Sequence, residues 1–524
     1  MEESGNCRNQ IQRLTEIGIA LSSELNLDLL LEKIVLYSRE LTGADAGTLY
    51  LLREGKLHFK IMQNQTLGIF KGGTSHEKIE LEPVPLDKSN VSAFSAIEQK
   101  TVRIDDVYES SEFDFSGPRR YDAVTGYRSR SMLVVPMKNH VGDVIGVLQL
   151  MNATDPATGE VVDFSSDSEQ LTESLASQAA VAITNAQLIR ETKNLFEGLI
   201  KVLAVAIDAK SRSTRNHIQR VALFNVTLAE AINEKTEGPF ENVYFSEEEL
   251  EEIRIAGWLH DVGKITTPIW VMEKRFKLEA PYNRIELIRT RFELIKKILE
   301  NEALRKKLEL VDIGEKEEKL EAIEKDLQEK LKSLDDDLQV LHECNLPREY
   351  MDDSLIKRLH DIAEKKYPED GGKFPCITGD EEYHLSVQRG NLTENEIAVM
   401  RDHIVWTKKM LAQIPFSRHL KNVPLYAGQH HEKLNGTGYP EGLTASSIPL
   451  KSRILAVADM YEALTSKDRS YKKPMNMDQV LEIFHRAVEK GELDPDVVDL
   501  VIKDRVYERF EQRYRVFKDT APAM

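Results

Sequence analysis

Apolar residues along the first third of the chain follow two different periods, and the change between them predicts a mixed domain. Over residues 11–42 they recur at helical spacing, and Gly43 follows as a residue that commonly ends helices. Short alternating runs come next. They predict a β-hairpin that turns at Glu54 and Gly55, and a second hairpin over residues 131–151. A helix followed by antiparallel strands is typical of an α+β domain.

Helical spacing returns after these strands over one long segment, residues 166–208. A helix rises about 1.5 Å per residue, so one of this length is a stiff rod that suits mechanical coupling. We therefore expect a sensor domain over residues 1–190, with the connecting helix 166–208 leading into a second domain over residues 196–524. The spacing in the second domain begins as helical, over residues 202–260.

Residues 276–386 differ in composition from the chain on either side. Lys and Glu are dense over residues 284–345, and apolar residues stand at near-heptad spacing, which is typical of a coiled coil. A break near residues 311–314 predicts an antiparallel helical hairpin. The stretch 367–380, rich in Gly, Pro and Asp, predicts a loop. We interpret residues 276–386 as an inserted, solvated charged arm, with docking of a partner as the alternative.

Composition limits the classes of function. The chain has 524 residues, more than a single core usually holds, and a net charge of −18 from 88 acidic and 70 basic residues. An acidic surface repels polymeric nucleic acid, so no such partner is expected. The three cysteines are far apart, and no apolar run is long enough for a membrane span. Because the N-terminus also has no signal-peptide pattern, these features predict a cytoplasmic protein.

Several histidines and acids stand where an ordinary helical core would not place them. His430 and His431 are adjacent before a Gly-rich turn, where both can reach one metal centre. His260 and Asp261 end an apolar helix, and imidazole with carboxylate is a donor set that suits Fe, Mn, Zn or Ni. Asp459 lies inside the apolar run ILAVADM, where a carboxylate needs a partner.

A second His-Asp pair, His360 and Asp361, shows that this dipeptide alone is weak evidence for a metal site. It lacks the Gly263 and Lys264 that follow the first pair, and it lies in a highly charged run. We therefore predict an exposed helix there and no metal site.

Together with His217 and His403 on other helical segments, these residues form a set of five histidines and two aspartates, more than one ion needs. Such a set fits two divalent ions about 3.5–4 Å apart and bridged by a carboxylate, an arrangement that promotes displacement at phosphorus. Fe or Mn is preferred, with Zn or Ni as alternatives. The predicted catalytic residues are Asp261 and Lys264, and the predicted metal ligands are His217, His260, Asp261, His403, His430, His431 and Asp459.

The segment 125–153, TGYRSRSMLVVPMKNHVGDVIGVLQLMNA, resembles a GAF domain, together with Asp163, Phe164 and the long closing helix. It looks most like the GAF domains of cyclic-nucleotide phosphodiesterases. In that family a lysine follows the asparagine, whereas here Asn152 is followed by Ala153. Two roles stay open: the domain binds a small ligand, or it only dimerises and transmits a signal.

Three motifs in the second domain resemble the HD-GYP family of HD-superfamily phosphohydrolases, over about residues 195–275 and 387–510. They are HDVGK at 260–264, HHEKLNGTGYP at 430–440 and AVADMYEALTSKDRSYKK at 456–473. The resemblance implies an all-helical domain that hydrolyses cyclic di-GMP to linear pGpG and then to GMP. The expected fold is thus multidomain: an α+β GAF domain, then an all-α HD-GYP domain with an inserted helical-hairpin arm.

The same resemblance implies contacts with substrate and partners. Family residues that hold the substrate phosphates correspond to Arg469 and Lys472. The GYP turn, Gly438, Tyr439 and Pro440, is linked in the family to substrate specificity and to contacts with GGDEF-domain proteins. A homodimer is expected.

Three departures from the family pattern sharpen these expectations. Some members carry a glutamate four residues before the first histidine and hold a third metal, but that position is Ser213 here, so we expect two ions. The usual aspartate in the run between HHE and GYP is Asn435, which is compatible with the turn. The insertion at 276–386 lies between HDVGK and His403, where it can cover the mouth of the site.

Two alternatives accompany the cyclic di-GMP hydrolase. The first is an HD phosphohydrolase for another cyclic dinucleotide, such as a hybrid one. The second is a metal-loaded module that binds cyclic di-GMP with little turnover and signals through the insertion or the GAF domain. The complete ligand set favours the enzyme.

Overall fold

The computed structural model describes residues 2–75, 77–210, 216–312, 317–369, 372–466 and 475–520. The chain divides into two compact units, Met1–Glu197 and Gly198–Met524. The division falls within the long helix that the sequence predicted. Among the described residues, no helix combines the length and the apolar character that a bilayer crossing requires.

The first unit is an α+β domain, as the sequence predicted. Its helices are α1 (Glu2–Ser23), α2 (Leu27–Thr42), α3 (Val91–Glu98), α4 (Ser116–Thr125) and the start of α5 (Ser166–Lys210). Its strands are β1 (Ala44–Arg53), β2 (Lys56–Asn64), β3 (Ile69–Gly72), β4 (Val84–Pro85), β5 (Val102–Ile104), β6 (Met132–Lys138), β7 (Val144–Thr154) and β8 (Val161–Val162).

The strands pair antiparallel in the order β3-β2-β1-β7-β6-β5, with β4 added to β2 and β8 added to β7. Successive side chains of a strand point to opposite faces, so each face gathers its own core. Leu49 and Leu51 lie in the core that α2 and α5 cover, whereas Tyr50 lies in the core on the opposite face. The first hairpin turns at Glu54 and Gly55, whose φ angles of 49° and 73° suit a tight two-residue turn.

The single helix predicted over residues 11–42 is wrong, because the segment folds as two helices. Asn26 stands between them in extended conformation, and its side chain accepts the backbone N–H groups of Asp28 and Leu29. Asparagine is a strong N-cap residue because this bond satisfies donors that a helix start leaves open. The apolar period continues across the break, so periodicity did not reveal it.

The described part of the second unit is mostly helical. It begins with the end of α5 and continues with α6 (His217–Asn233), α7 (Glu247–Leu259), α8 (Ile269–Met272), α9 (Ile285–Asp312), α10 (Glu317–Asn345), α11 (Asp353–Ala363), α12 (Gly379–Leu385), α13 (Glu394–Leu411), α14 (Val423–Ala427), α15 (Leu450–Thr465), α16 (Met477–Glu489), α17 (Pro495–Ile502) and α18 (Val506–Thr520). Phe224 of α6 packs on Tyr461 of α15 and on Phe510 of α18, with ring centroids 4.4 and 5.0 Å apart.

The insertion contains an antiparallel helical hairpin, as its near-heptad spacing predicted. Lys296 Nζ lies 2.7 Å from Asp335 Oδ1, and Lys307 Nζ lies 2.5 Å from Glu324 Oε2, so positions rise along α9 as they fall along α10. The inner apolar residues join α11 and α12 in a core of their own.

The loop predicted over residues 367–380 is wrong. It contains a two-stranded hairpin, β9 (Lys366–Glu369) and β10 (Gly372–Pro375), and the start of α12. Tyr367 and Phe374 pack against the core of the insertion, and Thr378 caps α12 through a capping box with Glu381. These contacts give order to a stretch that its turn-forming residues made resemble a loop.

Candidate metal centre

The HDVGK motif ends α7 and is held by α13. His260 follows the last residue of α7, and a 3₁₀ turn begins after Asp261. Gly263 is needed there because a Cβ at this position would lie 1.9 Å from the carbonyl oxygen of His403. The Thr407 hydroxyl accepts the Gly263 N–H at 3.0 Å and donates to the His260 carbonyl at 3.1 Å. The turn and α13 are therefore locked together, which brings His403 to the site.

The Asp261 carboxylate lies between two groups of histidines. Its Oδ2 is 3.3 Å from the Nε2 atoms of both His217 and His260. Its Oδ1 is 3.4 Å from His403 Nε2 and 4.0 Å from His430 Nε2. One oxygen faces each group, so the Asp261 carboxylate contacts both groups of histidines.

The potential ligand atoms fall into two clusters. Within each cluster these atoms lie within 4.8 Å of one another: one holds His217, His260 and Asp261, and the other holds His403, His430 and His431. Asp459 Oδ1 joins the first cluster, at 3.4 Å from His217 Nε2 and 3.7 Å from His260 Nε2. The structure thus brings together all seven predicted ligands, and their role in binding stays a prediction.

Buried atoms at the centre of the site have no hydrogen-bond partner among the described residues. They are Nε2 of His217, His260, His403 and His430, and Oδ1 of Asp261. An unsatisfied buried polar group costs about 1–3 kcal/mol, so several in one place are rare without a ligand. Imidazole nitrogens and a carboxylate oxygen are donors for a divalent transition metal. The residues therefore fit divalent metal ions.

The two clusters differ in their charge state. Burial lowers the pKa of His431 to about 3 and holds the pKa of His430 well below its usual value, so these two histidines are neutral and ready to coordinate. Burial also opposes protonation of His217, but Glu462 and Asp261 outweigh it and raise its pKa to about 9. Asp261 does the same for His260 against burial, with a pKa of about 10. The first cluster must release protons before it can bind metal.

Lys264 and the GYP turn border the site. Lys264 Nζ lies 2.5 Å from Asp261 Oδ2. The Tyr439 ring stacks on His431 with centroids 4.8 Å apart, and the Arg401 guanidinium lies 5.1 Å from the centroid of the Tyr439 ring. Gly438 is required for the turn, since a Cβ there would lie 2.3 Å from the Lys433 backbone nitrogen.

Several sequence expectations fall outside the described residues. These are the phosphate contacts predicted for Arg469 and Lys472, and the position of Ser213. The second His-Asp pair is described, and its histidine side chain is 55% exposed, with Nδ1 2.6 Å from Glu382 Oε1.

Sequence reasoning missed three residues near the site: Thr407, Glu462 and Asp208. The Glu462 carboxylate is buried and contacts His217 Nδ1. Asp208, in the last turn of α5, accepts the Asn216 N–H at 3.0 Å, and burial raises its pKa to about 7. A signal for Glu462 was present, because it stands three residues after Asp459 on the same helix and therefore shares its face.

The first unit contains a separate cavity of about 270 Å³ between the sheet and the segment that carries α3 and α4. Aromatic and apolar side chains such as Tyr50, Phe59 and Met132 dominate its lining, and Asp114 is the one charged residue among the described residues that line it. Binding of a small ligand by this domain stays one of the two roles that the sequence left open.

Comparison with known proteins identifies both units. A GAF-domain family model matches residues 26–183, and HD-domain family models match residues 214–366 and 378–497. The GAF domain of an Acinetobacter phosphoenolpyruvate-protein phosphotransferase is 18% identical, with a TM-score of 0.27, over 35% of this chain and 97% of that one.

Two relatives of known function match part of the chain. The 3'3'-cGAMP-specific phosphodiesterase 1 of Vibrio cholerae is 37% identical over 29% of this chain and 31% of its own length. The cyclic di-GMP phosphodiesterase response regulator RpfG of Xanthomonas campestris is 39% identical over 22% of this chain and 30% of its own length. The chain thus spans about a third of each relative. It combines a GAF domain with HD domains and matches the GAF and HD-GYP architecture that its motifs predicted.

Proposed function

We propose that the chain is a metal-dependent phosphodiesterase that hydrolyses cyclic di-GMP to linear pGpG and then to GMP, under the control of its GAF domain. The observation that carries this proposal is the group of buried ligand atoms around Asp261 that have no hydrogen-bond partner among the described residues. Relatives named as cyclic di-GMP and 3'3'-cGAMP phosphodiesterases support the same class of substrate.

Each part of the chemistry has residues suited to it. Two divalent ions held by the two clusters would supply an activated water and neutralise the phosphoryl oxygens. Asp261 offers one oxygen to each cluster and so fixes the spacing between them. Lys264, beside Asp261, places a positive charge where the phosphodiester gains negative charge. Because His430 and His431 are neutral, the second cluster is ready to bind a cation at neutral pH.

The mouth of the site suits a dinucleotide with two phosphates. Tyr439 presents an aromatic ring beside His431, and Arg401 lies over that ring with an exposed side chain. A guanidinium on an aromatic face keeps its N–H groups free for a phosphate, and the ring offers a surface on which a base can stack. Arg469 and Lys472 are proposed to hold the substrate phosphates as they do in the family.

A second candidate substrate is 3'3'-cGAMP, because a relative that matches this chain is named for it. Both substrates share the two phosphodiester bonds that the site attacks and differ in one base. Discrimination between them falls to groups at the mouth, where a missing or extra hydrogen bond to a base shifts the rate.

One experiment tests the proposal. The protein is purified without oxygen, its metal content is measured, and the same sample is incubated with cyclic di-GMP, 3'3'-cGAMP and cyclic di-AMP. We expect two equivalents of Fe or Mn and release of pGpG and GMP. A preparation with full metal that binds cyclic di-GMP and releases no product would overturn the enzyme. Faster turnover of 3'3'-cGAMP would move the assignment to the second substrate.

A further inference from the structure

Three of the candidate ligand histidines are oriented by the same kind of contact, between Nδ1 and a backbone carbonyl oxygen. Nδ1 of His260 lies 2.7 Å from the Gly257 carbonyl oxygen, and Nδ1 of His430 lies 2.7 Å from that of Ala427. Nδ1 of His403 is 2.5 Å from the Met400 carbonyl oxygen. A carbonyl oxygen can only accept, so each Nδ1 carries a hydrogen, and Nε2 is the ring nitrogen that can bind an ion at the centre of the site.

His217 is oriented in a different way. It is the first residue of α6, and its Nδ1 contacts the carboxylate oxygen Oε2 of Glu462. Glu462 is 1% exposed and stands three residues after Asp459 on α15, so one face of that helix carries both acids. Asp459 faces Nε2 of His217 and Glu462 faces Nδ1.

The Glu462 carboxylate is itself held in place by Arg220. Its Oε1 lies 3.4 Å from Arg220 Nε, and Arg220 stands one turn after His217 on α6. The Arg220 guanidinium lies over the rings of Tyr514 and Phe510, at 4.8 and 5.4 Å from their centroids. Aromatic stacking and the ion pair restrict the arginine, and the arginine restricts the carboxylate.

We propose that Glu462 is a positioning residue for the first cluster. Its carboxylate fixes the tautomer and ring orientation of His217 and strengthens Nε2 as a donor to a divalent ion. This inference rests on the proposed function, because it assumes that His217 is a metal ligand. A carboxylate behind a ligating histidine makes the imidazole more basic than a carbonyl does, and loss of such a partner lowers metal affinity about 10–100-fold. The same contacts also allow a purely structural role, in which Glu462 only pairs with Arg220.

Glu462→Gln separates the two roles. Glutamine keeps the shape and an oxygen that accepts the Nδ1 hydrogen, but it removes the charge. The matched control is Glu511→Gln, because Glu511 Oε1 also lies near Arg220, at 3.7 Å from Nη2. The control therefore removes an acidic partner of Arg220 on α18 and keeps the contact between Glu462 and His217.

The measurement is a Mn²⁺ titration of the full-length, metal-free protein, with elemental analysis of bound metal and thermal unfolding as a check of the fold. In the wild type we expect two equivalents to bind. In Glu462→Gln, one of them weakens about 10–100-fold while the other keeps its affinity. Excess Mn²⁺ restores most of the turnover number. Glu511→Gln binds both equivalents as the wild type does.

Two results overturn the inference alone: unchanged affinity in Glu462→Gln, or the same loss in both variants. Failure of the wild type to bind any divalent ion overturns the proposed function with it. If Glu462→Gln does not fold, Arg220→Gln takes its place, because it removes the ion pair between Arg220 and the carboxylate and keeps the carboxylate. We then expect a smaller loss in the same equivalent, and no loss overturns the inference.

Discussion

The cavity of the GAF domain and the histidine clusters of the HD domain both enclose polar side chains, and they satisfy them in opposite ways. In the cavity wall, Gln149 Oε1 accepts from the Tyr50 hydroxyl at 3.2 Å and from the Ser92 hydroxyl at 2.8 Å. At the histidine clusters, four Nε2 atoms have no such partner in the described part of the chain.

This difference separates a site that is complete as folded from one that is completed by what it binds. The GAF cavity keeps Gln149 paired with Tyr50 and Ser92 without a ligand, so a ligand there adds to a stable structure. The HD clusters place unpaired donors together, which is unfavourable until a cation joins them. Changes at the two places should therefore affect different quantities: stability at the cavity, and metal content and activity at the clusters.

The largest expected effect comes from Asp261→Ala. It removes the carboxylate that faces both clusters, so we expect metal to be lost and hydrolysis of cyclic di-GMP to fall by about 10³-fold or more. Metal analysis and a product assay measure this. The control is Asp361→Ala, the aspartate of the exposed second His-Asp pair, which should leave both unchanged. Full turnover by the Asp261→Ala protein would refute the role of the clusters.

The next largest effect is a dependence of metal binding on pH. The pKa values of His217 and His260 are raised to about 9 and about 10, so below these values protons compete with metal in the first cluster. Between pH 6 and 8 we expect the affinity of one equivalent to rise by about tenfold per pH unit for each proton released. The equivalent bound by the neutral histidines should change less. Titration with Mn²⁺ at several pH values measures both.

The same raised pKa values predict the stability of the metal-free protein. A histidine in the unfolded chain has a pKa of about 6.5, and His217 and His260 have higher pKa values in the folded state. Such a group stabilises the folded state fully below about pH 6.5, and this contribution is lost as the pH rises through the folded-state pKa. The melting temperature of the HD domain, measured on the intact metal-free protein, should therefore fall as the pH rises from about 6.5 to 9–10. Saturating metal should abolish this fall in melting temperature. A fall that persists would contradict the competition between protons and metal for His217 and His260.

A smaller effect is expected at the cavity. Gln149→Ala leaves the Tyr50 and Ser92 hydroxyls without their acceptor, so the unfolding free energy of the GAF domain should drop by about 1–3 kcal/mol. The metal content and turnover of the HD domain should not fall through a loss of metal ligands, because this variant keeps all the candidate ligands. The exposed Gln170→Ala serves as the control for loss of a glutamine amide. Equal stability of the two variants would show that the cavity wall does not depend on this pair of bonds.

The smallest effect is expected at His360. Its contact with Glu382 is largely exposed, and exposed ion pairs contribute about 0–1 kcal/mol. His360→Ala should therefore change the melting temperature little and the metal content not at all. Loss of a metal equivalent in this variant would show that His360 also takes part in metal binding, despite its exposed surroundings.

Sequence alone predicted those features that a local pattern specifies. The hairpin at Glu54 and Gly55 follows from turn chemistry, and the helical character of the insertion follows from apolar spacing. The candidate ligands were found because histidines and acids stood at positions where a core would have apolar residues. These signals need no knowledge of which helix packs on which.

Features that depend on contacts between distant segments were missed. Asn26 breaks a helix through its own side chain while the apolar period continues. Glu462 and Thr407 act on His217 and on the HDVGK turn, from 245 and 147 positions away along the chain. Phe374 orders a Gly-rich stretch by packing on a core that only the folded insertion creates. Asn26 acts through a local bond, and in the other cases packing between distant segments determines a feature that composition does not predict.

The base of the insertion has a consequence for how proteins with this helical domain can vary in size. Lys274 and Glu396 are both buried, and Nζ lies 2.6 Å from Oε1, while the Asn391 side chain donates to the Lys274 carbonyl. The chain thus leaves and re-enters the helical domain at one closed neck. A segment anchored in this way can lengthen, shrink or be exchanged for a short linker without altering the span between the helices on either side. New modules can therefore be grafted at this neck while the spacing of the candidate metal ligands is inherited unchanged.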